Sequence, residues 1–452
     1  MTIDRRTVLT GAVALPLAGW AERSAFAAPP PPRNSLNAIA LGIRSGAEQD
    51  QSKTLQKAID QAAAQRLPLF IPPGRYRAAA LKLPAGAQLY GMRGASHIML
   101  HRTAPMFISE GSDNISLSGL MLEGDKIPLI ERTGIIQFAS GKGIRIAECD
   151  IVHAGGNAIV LQAVEGQVLR NGIADAADNA IFALDGRNTL ISGNVIRRSG
   201  NGGIRVWQSQ KRGDGSIVSD NIIEDTQALA GGSGQNGNAV NVYRAANVTV
   251  RGNHIKNAAF SAVRGNAASH IQITGNECSG LGEVALYSEF EFENATITGN
   301  TVDGAGMGIS VTNFKEGGRL ATVQGNTLRN ITTPRPATDP GEGFGVGIYV
   351  EADTAVTGNV IENAAKVGIS CGNGPYLRDV TVTGNMVRQT PYGVWVSVAK
   401  GAGAAVISGN LITGARRGAI VGMEWNKVVT SDLAFVAPGA YPQLSISGNN
   451  IR

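Results

Sequence analysis

One short pattern recurs along the chain and restricts its fold more than any other feature: an aliphatic residue, a polar residue, and then Gly-Asn. The asparagine of this pattern occurs at nine positions: Asn194, Asn253, Asn276, Asn300, Asn326, Asn359, Asn385, Asn410 and Asn449. Asn221 holds the same place in a degenerate copy. Successive asparagines from Asn194 to Asn410 are 23 to 33 residues apart. A minimum near 23 residues, with insertions above it, indicates coils that share fixed strands and differ in loop length.

The residues around each Gly-Asn pair predict how a coil is built. Val or Ile alternates with Thr or Ser before the pair, as in Ile297-Thr-Gly-Asn300, which is typical of a strand with one buried face. Glycine and asparagine both tolerate left-handed backbone conformations, so we expect the pair to form a tight bend. The stacked asparagines are then expected to hydrogen-bond from coil to coil.

A second strand is predicted in nearly every coil, and it begins with a small residue. Its copies are Gly203-Ile-Arg-Val-Trp207, Ala239-Val-Asn-Val-Tyr243, Gly308-Ile-Ser-Val-Thr312, Gly347-Ile-Tyr-Val-Glu351, Gly368-Ile-Ser-Cys371 and Gly393-Val-Trp-Val-Ser397. The 59 glycines fit the many turns that such coils need, and the ordinary hydrophobic content excludes a disordered chain. Coils of this size do not make propeller blades, and leucine-rich repeats would carry leucine in place of Gly-Asn. The sequence therefore predicts an all-β fold, a right-handed parallel β-helix.

The two ends of this domain have their own patterns. Residues 50–66 carry apolar side chains at helical spacing and precede Leu69-Phe-Ile-Pro-Pro-Gly-Arg-Tyr76, so an amphipathic helix is expected to cover the open end of the first coil. This arrangement resembles the N-terminal cap of the pectate-lyase-like superfamily, and it implies one β-helix domain over residues 50–452. Residues 424–442 are predicted to be an insertion in the last coil, either a cap or a contact in a homo-oligomer.

Residues 1–27 have the pattern of an export signal, with Arg5-Arg6, an apolar run, and Ala25-Phe-Ala27 as a cleavage site; residues 28–49 are then a linker. The paired arginines, joined to the repeats, resemble a family of twin-arginine-translocated β-helix repeat proteins. This resemblance implies the twin-arginine translocase as a partner and a periplasmic or secreted location. An ordinary secretory signal with a basic start is the alternative. No later stretch reaches the ~20 apolar residues of a membrane span, so none is expected in the mature protein.

Charge and cysteine content limit the other partners. The net charge is +5, and the basic residues are dispersed rather than clustered, so nucleic acid is not an expected partner. Cys149, Cys278 and Cys371 lie far apart without a CxxC pair and are predicted to be buried thiols. Neither a His/Cys cluster nor a group of acidic residues indicates a metal site, and no cofactor is expected.

The outward positions of the second strand are the best candidate for a functional face, because the inward positions are aliphatic and the outward ones vary chemically. Aromatic rings interleaved with polar groups suit a polysaccharide or oligosaccharide, since sugar rings stack on aromatic faces and sugar hydroxyls meet polar side chains. The residues predicted to bind substrate on this face are Arg205, Trp207, Asn241, Tyr243, Asn266, Tyr287, Tyr349 and Trp395.

Arg264, Glu289 and Glu351 are the predicted catalytic residues on the same face. Coils ~4.8 Å apart make Arg264 and Glu289 neighbours and separate Glu289 from Glu351 by about 10 Å. That distance is near the upper end of the roughly 6.5–9.5 Å between the carboxylates of inverting glycosidases. A lyase or epimerase would instead use a base and a cation that holds the uronate carboxylate. A purely structural role, in which Glu289 neutralises Arg264, is an equal alternative.

Three functions therefore stay open. The leading hypothesis is an exported enzyme that acts on an acidic polysaccharide by elimination, epimerisation or hydrolysis. The first alternative is a non-catalytic glycan-binding or cell-envelope scaffold protein, which would keep the aromatic residues without needing the charged pair. The second is a periplasmic cofactor-binding protein, which the twin-arginine pattern favours but no phosphate-binding or haem motif supports.

Overall fold

A computed structural model describes residues 34–232, 234–332, 344–436 and 439–452. The predicted export signal, residues 1–27, and the first part of the predicted linker lie outside these ranges. Over the described ranges, no helix is both long enough and apolar enough to cross a membrane.

The chain winds into coils whose strands build three long sheets. Within the described residues, sheet 1 has 16 strands, and sheets 2 and 3 have 15 strands each. A typical coil passes from sheet 1 through the Gly-Asn turn into sheet 2 and then into sheet 3. The strands pair in parallel, apart from the last pair of sheet 3, and the winding is right-handed, as crossovers between parallel strands almost always are. The predicted right-handed parallel β-helix is confirmed.

The strands are short and have the following bounds. Sheet 1 consists of Leu36–Asn37, Leu69–Phe70, Gln88–Tyr90, Ser116–Ser118, Lys142–Ala147, Glu165–Leu169, Leu190–Ser192, Ile217–Ser219, Thr249–Arg251, Gln272–Thr274, Glu293–Thr298, Arg319–Gln324, Ala352–Thr357, Arg378–Thr383, Ala405–Ser408 and Leu444–Ser447. Sheet 2 consists of Gly74–Arg77, Ser96–Met99, Met121–Glu123, Asp150–Val152, Gly172–Ala174, Val195–Arg197, Ile222–Glu224, His254–Lys256, Glu277–Ser279, Thr301–Asp303, Thr327–Ile331, Val360–Ala364, Met386–Arg388, Leu411–Thr413 and Asn450–Ile451. Sheet 3 consists of Leu81–Lys82, Phe107–Glu110, Gly134–Ala139, Asn157–Gln162, Asn179–Leu184, Gly202–Gly213, Asn238–Ala246, Val263–Asn266, Val284–Glu289, Met307–Val311, Val346–Val350, Val367–Cys371, Tyr392–Ser397, Gly418–Glu424 and Lys427–Asp432.

The interior of the coils is a continuous column of aliphatic side chains. Alternate strand residues point into it, so that Ile204 and Val206 of one sheet 3 strand are fully buried. The column runs without a break from Ala38 near one end to Leu433 near the other. Because each coil is too thin to form a core alone, its stability depends on the coils on either side.

The asparagines of the Gly-Asn turns point into the molecule and form a ladder along it. The side-chain nitrogen of Asn300 donates to Oδ1 of Asn326 at 3.0 Å and to the carbonyl of Ile273 at 2.9 Å. Its own Oδ1 accepts from the backbone and side-chain nitrogens of Asn276. The same side-chain bond repeats in every coil from Asn171 to Asn449, which confirms the predicted stacking. The ladder gives partners to polar groups that each turn would otherwise bury alone.

One residue of each pair makes the predicted bend. Only the residue before each asparagine is left-handed, with φ of +65° at Gly299, and no ladder asparagine has a positive φ. The asparagine side chain must point inward to reach its neighbours, so the bend falls on the preceding residue. Arg170 and Asp220 hold that position in two coils, with φ of +53° and +58°. The Gly-Asn pattern therefore misses Asn171, whose turn lacks the glycine.

Each end of the solenoid is covered by a different element. The predicted N-terminal helix is present as Ser52–Ala64, and it packs against the strands Leu69–Phe70 and Gln88–Tyr90 of sheet 1 and Leu81–Lys82 of sheet 3. At the other end, the described part of the 424–442 insertion forms the antiparallel strand Lys427–Asp432 and the 3-10 turn Leu433–Phe435. Residues 437–438 of that insertion lie outside the described ranges. Two further 3-10 turns are Ile39–Leu41 and Phe314–Glu316.

Candidate functional site

The structure places the predicted site residues in two adjacent rows on the outer face of sheet 3. Within each row, neighbouring residues are register partners on successive strands. The first row consists of Arg205, Asn241, Arg264, Tyr287, Ser310, Tyr349, Ser370 and Trp395. The second row begins with Trp207, Tyr243, Asn266 and Glu289. Glu351 follows Val350, two coils beyond Glu289.

The charged members of these rows are covered, although they lie on the outer face. Only 6% of Arg264, 2% of Glu289 and 8% of Glu351 is exposed. The aromatic residues Tyr349 and Trp395 are half-buried. The rows are therefore not a uniform open stripe; they hold buried polar clusters between partly open aromatic rings.

The central cluster is one guanidinium between two carboxylates. Arg264 donates from Nε to Glu289 at 2.7 Å, and one of its terminal nitrogens lies 3.4 Å from Glu283. Glu289 also accepts from the side-chain nitrogen of Asn266 at 2.8 Å. The Arg264 guanidinium lies 4.8 Å from the ring centre of Tyr287. The predicted contact of Arg264 with Glu289 is present, and Glu283 is an additional member that the sequence did not indicate.

The protonation of this cluster follows from burial and charge. Burial, the largest single influence, would lower the pKa of Arg264, but the charge and hydrogen bond of Glu289 together with the charge of Glu283 outweigh it and raise that pKa, so the guanidinium stays charged. Burial, reinforced by Glu289, raises the pKa of the Tyr287 hydroxyl. Burial and then Glu351 raise the pKa of Tyr349 well above its ordinary value. Both phenols are therefore protonated near neutral pH and can donate hydrogen bonds.

Glu351 has a hydrogen-bond shell of its own. Its carboxylate accepts from the Tyr349 hydroxyl at 2.7 Å, the Thr312 hydroxyl at 3.0 Å and the backbone N–H of Phe314 at 2.6 Å. Glu289 and Glu351 are thus held in separate clusters with different donors. Two coils separate them, which corresponds to about 10 Å.

An aromatic stack lies at the start of the two rows, on the N-terminal side of the Arg264 cluster. The Trp207 ring lies 5.4 Å from the rings of both Phe182 and Tyr243, and its Nε1 donates to Asn241 at 2.7 Å. The Arg205 guanidinium lies 5.0 Å from the Trp207 ring centre. This stack joins the predicted residues Arg205, Trp207, Asn241 and Tyr243 into one surface.

A cleft of about 430 Å³ lies at the C-terminal part of the same face. Two buried polar atoms of residues that line it, Nε1 of Trp395 and Oδ1 of Asn373, have no hydrogen-bond partner among the described residues. None of the described lining residues is acidic. The lining consists of Met307, Val346, Tyr349, Lys366, Ser370, Gly372, Asn373, Trp395, Met423, Trp425 and Asn426.

Several residues of the site carry no sequence signal of their own. Lys366 and Asn373 flank a sheet 3 strand rather than lying on it, so alternation along the strand could not assign them a face. Trp425 belongs to the terminal insertion and reaches back to pack against Gly374, which has no side chain in the way. Glu283 directly precedes the strand Val284–Glu289, where the outward pattern has not yet begun.

Residues of metal-ligating types and three thiols occur in the described ranges as well. No group of three His, Cys, Asp or Glu side chains there is arranged to hold a metal ion. Cys149, Cys278 and Cys371 are buried and unpaired, and burial raises the pKa of each thiol to about 12. Thiols of that kind are unreactive near neutral pH.

Comparison with known proteins supports the fold. Residues 157–328 match a family model described as a right handed beta helix region. No curated protein sequence matches the chain.

Solved structures with the same architecture come from several sources. The catalytic unit of a thermostable GH87 α-1,3-glucanase from Streptomyces thermodiastaticus is 17% identical, with a TM-score of 0.53 over 95% of this chain and 70% of that chain. The surface adhesin PfbA of Streptococcus pneumoniae is 14% identical, with a TM-score of 0.52 over 88% and 95%. The tailspike protein of Escherichia coli bacteriophage HK620, solved in complex with a hexasaccharide, is 11% identical, with a TM-score of 0.58 over 92% and 78%. At these identities the likeness concerns the fold alone.

Proposed function

We propose that this protein is a carbohydrate-active β-helix that binds an acidic polysaccharide along the outer face of sheet 3. The cleft around Trp395 is its principal sugar subsite. The observation that carries the proposal is that two residues lining a cleft with aromatic walls, Trp395 and Asn373, each have a buried polar atom without a partner in the described residues, Nε1 and Oδ1.

The cleft has the composition that a sugar requires. Trp395, Tyr349 and Trp425 offer ring surfaces, and the two atoms without partners offer one donor and one acceptor, the kinds of group that sugar hydroxyls bind. A volume of about 430 Å³ falls within the roughly 300–1,000 Å³ of small-molecule sites. Lys366 and the lack of acidic side chains in the described lining favour an anionic sugar over a cationic one. A glucanase and a tailspike solved with a hexasaccharide have this architecture, which makes a polysaccharide partner a reasonable extension.

The second part of this proposal is that the protein catalyses a reaction on the bound polysaccharide. Arg264 and Glu289 lie between the cleft and the aromatic stack, and Glu351 contacts Tyr349 of the cleft wall. A polysaccharide that follows the face would therefore pass over both carboxylate clusters. The full set of donors around Glu289 and Glu351 is equally compatible with a structural role, and binding without turnover is the alternative function.

Binding is tested first at Trp395. Trp395→Ala is expected to weaken the affinity for acidic oligosaccharides at least tenfold in calorimetric titrations, because it removes both the ring surface and the free donor. Phe435→Ala is the matched control, since that ring is exposed and does not line the cleft. Unchanged binding by Trp395→Ala, or equal loss in the control, would contradict the cleft assignment.

Turnover is measured on the same polysaccharide panel. If Glu289 takes part in the reaction, Glu289→Gln abolishes product release while binding to the cleft persists. If Glu289→Gln still releases product, Glu289 is not catalytic and has a structural role. A wild-type protein that binds glycans but releases no product from any of them would favour the scaffold function.

Export belongs to the same proposal, since it would bring the protein to polysaccharides outside the cytoplasm. The pattern of residues 1–27 supports it. N-terminal sequencing of the exported protein is expected to begin at Ala28, and an unprocessed start at Met1 would contradict it.

A further inference from the structure

Trp425 stands at an unusual place in the chain, the turn of the hairpin that ends sheet 3. The turn has two residues between the paired Glu424 and Lys427. The φ of Trp425 is +53°, a left-handed conformation that hairpin turns normally fill with glycine, asparagine or aspartate. Here the tryptophan takes that position although an asparagine, Asn426, is the next residue. A bulky side chain adopts this conformation at a cost, and strain of this kind is concentrated at functional sites.

This strained position lies outside the coil repeat. Many other left-handed residues of the chain occupy turns that recur from coil to coil, whereas Trp425 belongs to the insertion that occurs once. Among the described residues, it is the only tryptophan with a positive φ. The base of the hairpin is held by bonds that do not involve it: Asp432 accepts from the N–H of Ala419 at 2.6 Å, and the Thr430 hydroxyl accepts from the N–H of Gly422 at 2.7 Å. The strain at the tip is therefore not explained by the fixing of the hairpin.

The ring of Trp425 lies at the wall of the cleft with most of its surface open. It is 56% exposed, and it lines the same cleft as Trp395. The ring lies over Gly374, where a Cβ would be 2.7–2.8 Å from three atoms of its six-membered ring. Its centre is 6.3 Å from that of the Tyr376 ring, in an edge-to-face arrangement. These contacts fix where the indole lies and leave more than half of it available to a ligand.

We propose that Trp425 is a sugar-contacting residue of the cleft and that the C-terminal insertion is the binding loop that presents it. The inference rests on the proposed polysaccharide function and adds the feature that this wall recognises, the apolar C–H face of a sugar ring, which stacks on an indole. Gly374 is a positioning residue, because a side chain there would displace the ring. Neither role uses the acidic group of the ligand, so this wall selects for the ring and not for its charge.

The first test is calorimetric titration with three acidic ligands: an oligogalacturonate, an oligomannuronate and a hyaluronan oligosaccharide. Trp425→Ala is expected to weaken the best ligand at least fivefold. The same factor is expected at low and at high salt, because salt screens charges and not ring stacking. Unchanged affinity, or a loss that disappears at high salt, overturns the assignment of Trp425. A wild-type protein that binds none of the three ligands contradicts the proposed function itself, and this role of Trp425 with it.

The second test displaces the ring without removing it. Gly374→Ala is expected to weaken the same ligand about as much as Trp425→Ala does, and to add less than a twofold loss when the two are combined. Gly384→Ala is the matched control, since Gly384 is also left-handed, with φ of +64°, but has no atom within 4 Å of the added Cβ. It is expected to leave the affinity unchanged. Losses that multiply in the double variant, or wild-type affinity in Gly374→Ala, contradict the positioning role.

A third measurement separates ligand binding from a cap or an oligomer contact. Trp425→Ala and Trp425→Gly both lose the ring, but glycine also relieves the left-handed strain, so Trp425→Gly is expected to unfold about 1 °C or more above Trp425→Ala. Both are expected to keep the wild-type mass in light scattering and to lose affinity equally. Wild-type affinity together with a changed mass would make the insertion an oligomer contact. Wild-type affinity together with a midpoint several degrees lower would make it a cap, and either result overturns the proposal.

Discussion

Single side chains set the response of this protein to acid, and Asp353 is the clearest case. The guanidinium of Arg378 donates to both of its oxygens at 2.7 Å, and Arg319 adds a bond at 2.9 Å. The Arg378 bonds, and then those of Arg319, outweigh partial burial and hold the pKa of Asp353 below its ordinary value. A carboxylate with a depressed pKa stabilises the fold above its unfolded-state pKa, and this contribution disappears as pH falls through the lower folded-state value.

Asp353→Asn is therefore expected to lower the free energy of unfolding by about 1 kcal/mol at pH 7, a value reduced for solvent screening at the surface. The difference from wild type should shrink as pH falls below about 4, the ordinary pKa of an aspartate. Thermal unfolding followed between pH 2 and pH 7 measures it. Asp379→Asn, at an exposed neighbouring aspartate, is the control. A difference that stays constant over that range would contradict the assignment.

The sequence predicts which residues share the face, and it fails on how deeply they are buried. Alternation along the strand assigns Arg264 and Tyr349 to the outside, and coil spacing makes Arg264 and Glu289 neighbours, as they are. How deeply each side chain is buried depends on segments outside the strand, and these segments have no periodic sequence pattern from which burial could be predicted. Asn236, which contacts Arg205, comes from a connecting loop, and Glu283 stands just before a strand.

At the scale of an element, the asparagine ladder predicts a large local cost for a small substitution. Asn300→Ala would leave both nitrogens of Asn276 and the carbonyl of Ile273 without the partners that Asn300 gives them. Each buried polar group without a partner costs about 1–3 kcal/mol. We expect a loss of at least about 3 kcal/mol in the free energy of unfolding, measured by denaturant titration.

The last member of the ladder provides the control for that prediction. Asn449 pairs on one side only, with Asn410, and is more exposed than the ladder residues before it, so water can replace its bonds. Asn449→Ala is expected to cost much less than Asn300→Ala. Equal costs would mean that stacking of the side chains, and not burial of their polar groups, is what stabilises the turns.

The turns also mark the limit of prediction at this scale. Recurrence of Gly-Asn was enough to predict the coil, the strands beside it and the stacking. It did not reveal which residue carries the left-handed conformation, because both residues of the pair tolerate it. Tertiary contact decides: the inward asparagine is fixed by its ladder partners, and even Arg170 accepts the strained position before Asn171.

The whole molecule behaves as a stack of units that touch only their neighbours, which is why its fold follows so directly from a repeat. Each coil gains its core from the coils beside it, and the ends need separate covers. Sequence reasoning predicted the N-terminal helix from its apolar spacing. It left the C-terminal insertion undecided between a cap and an oligomer contact, because no repeat constrains a segment that occurs once.

A stack of this kind predicts that damage at one end stays at that end. Ile59 on the N-terminal helix is 1% exposed, and Ile59→Ala removes buried apolar contacts worth about 2–5 kcal/mol. We expect hydrogen exchange followed by mass spectrometry to accelerate in the strands under that helix, such as Leu69–Phe70 and Gln88–Tyr90, while the C-terminal coils keep wild-type protection. Leu433→Ala, in the turn that packs on the last coils, should give the mirror-image result. If either substitution accelerates exchange along the whole chain at one common rate, the solenoid opens as a single cooperative unit, and the nearest-neighbour description of its stability is wrong.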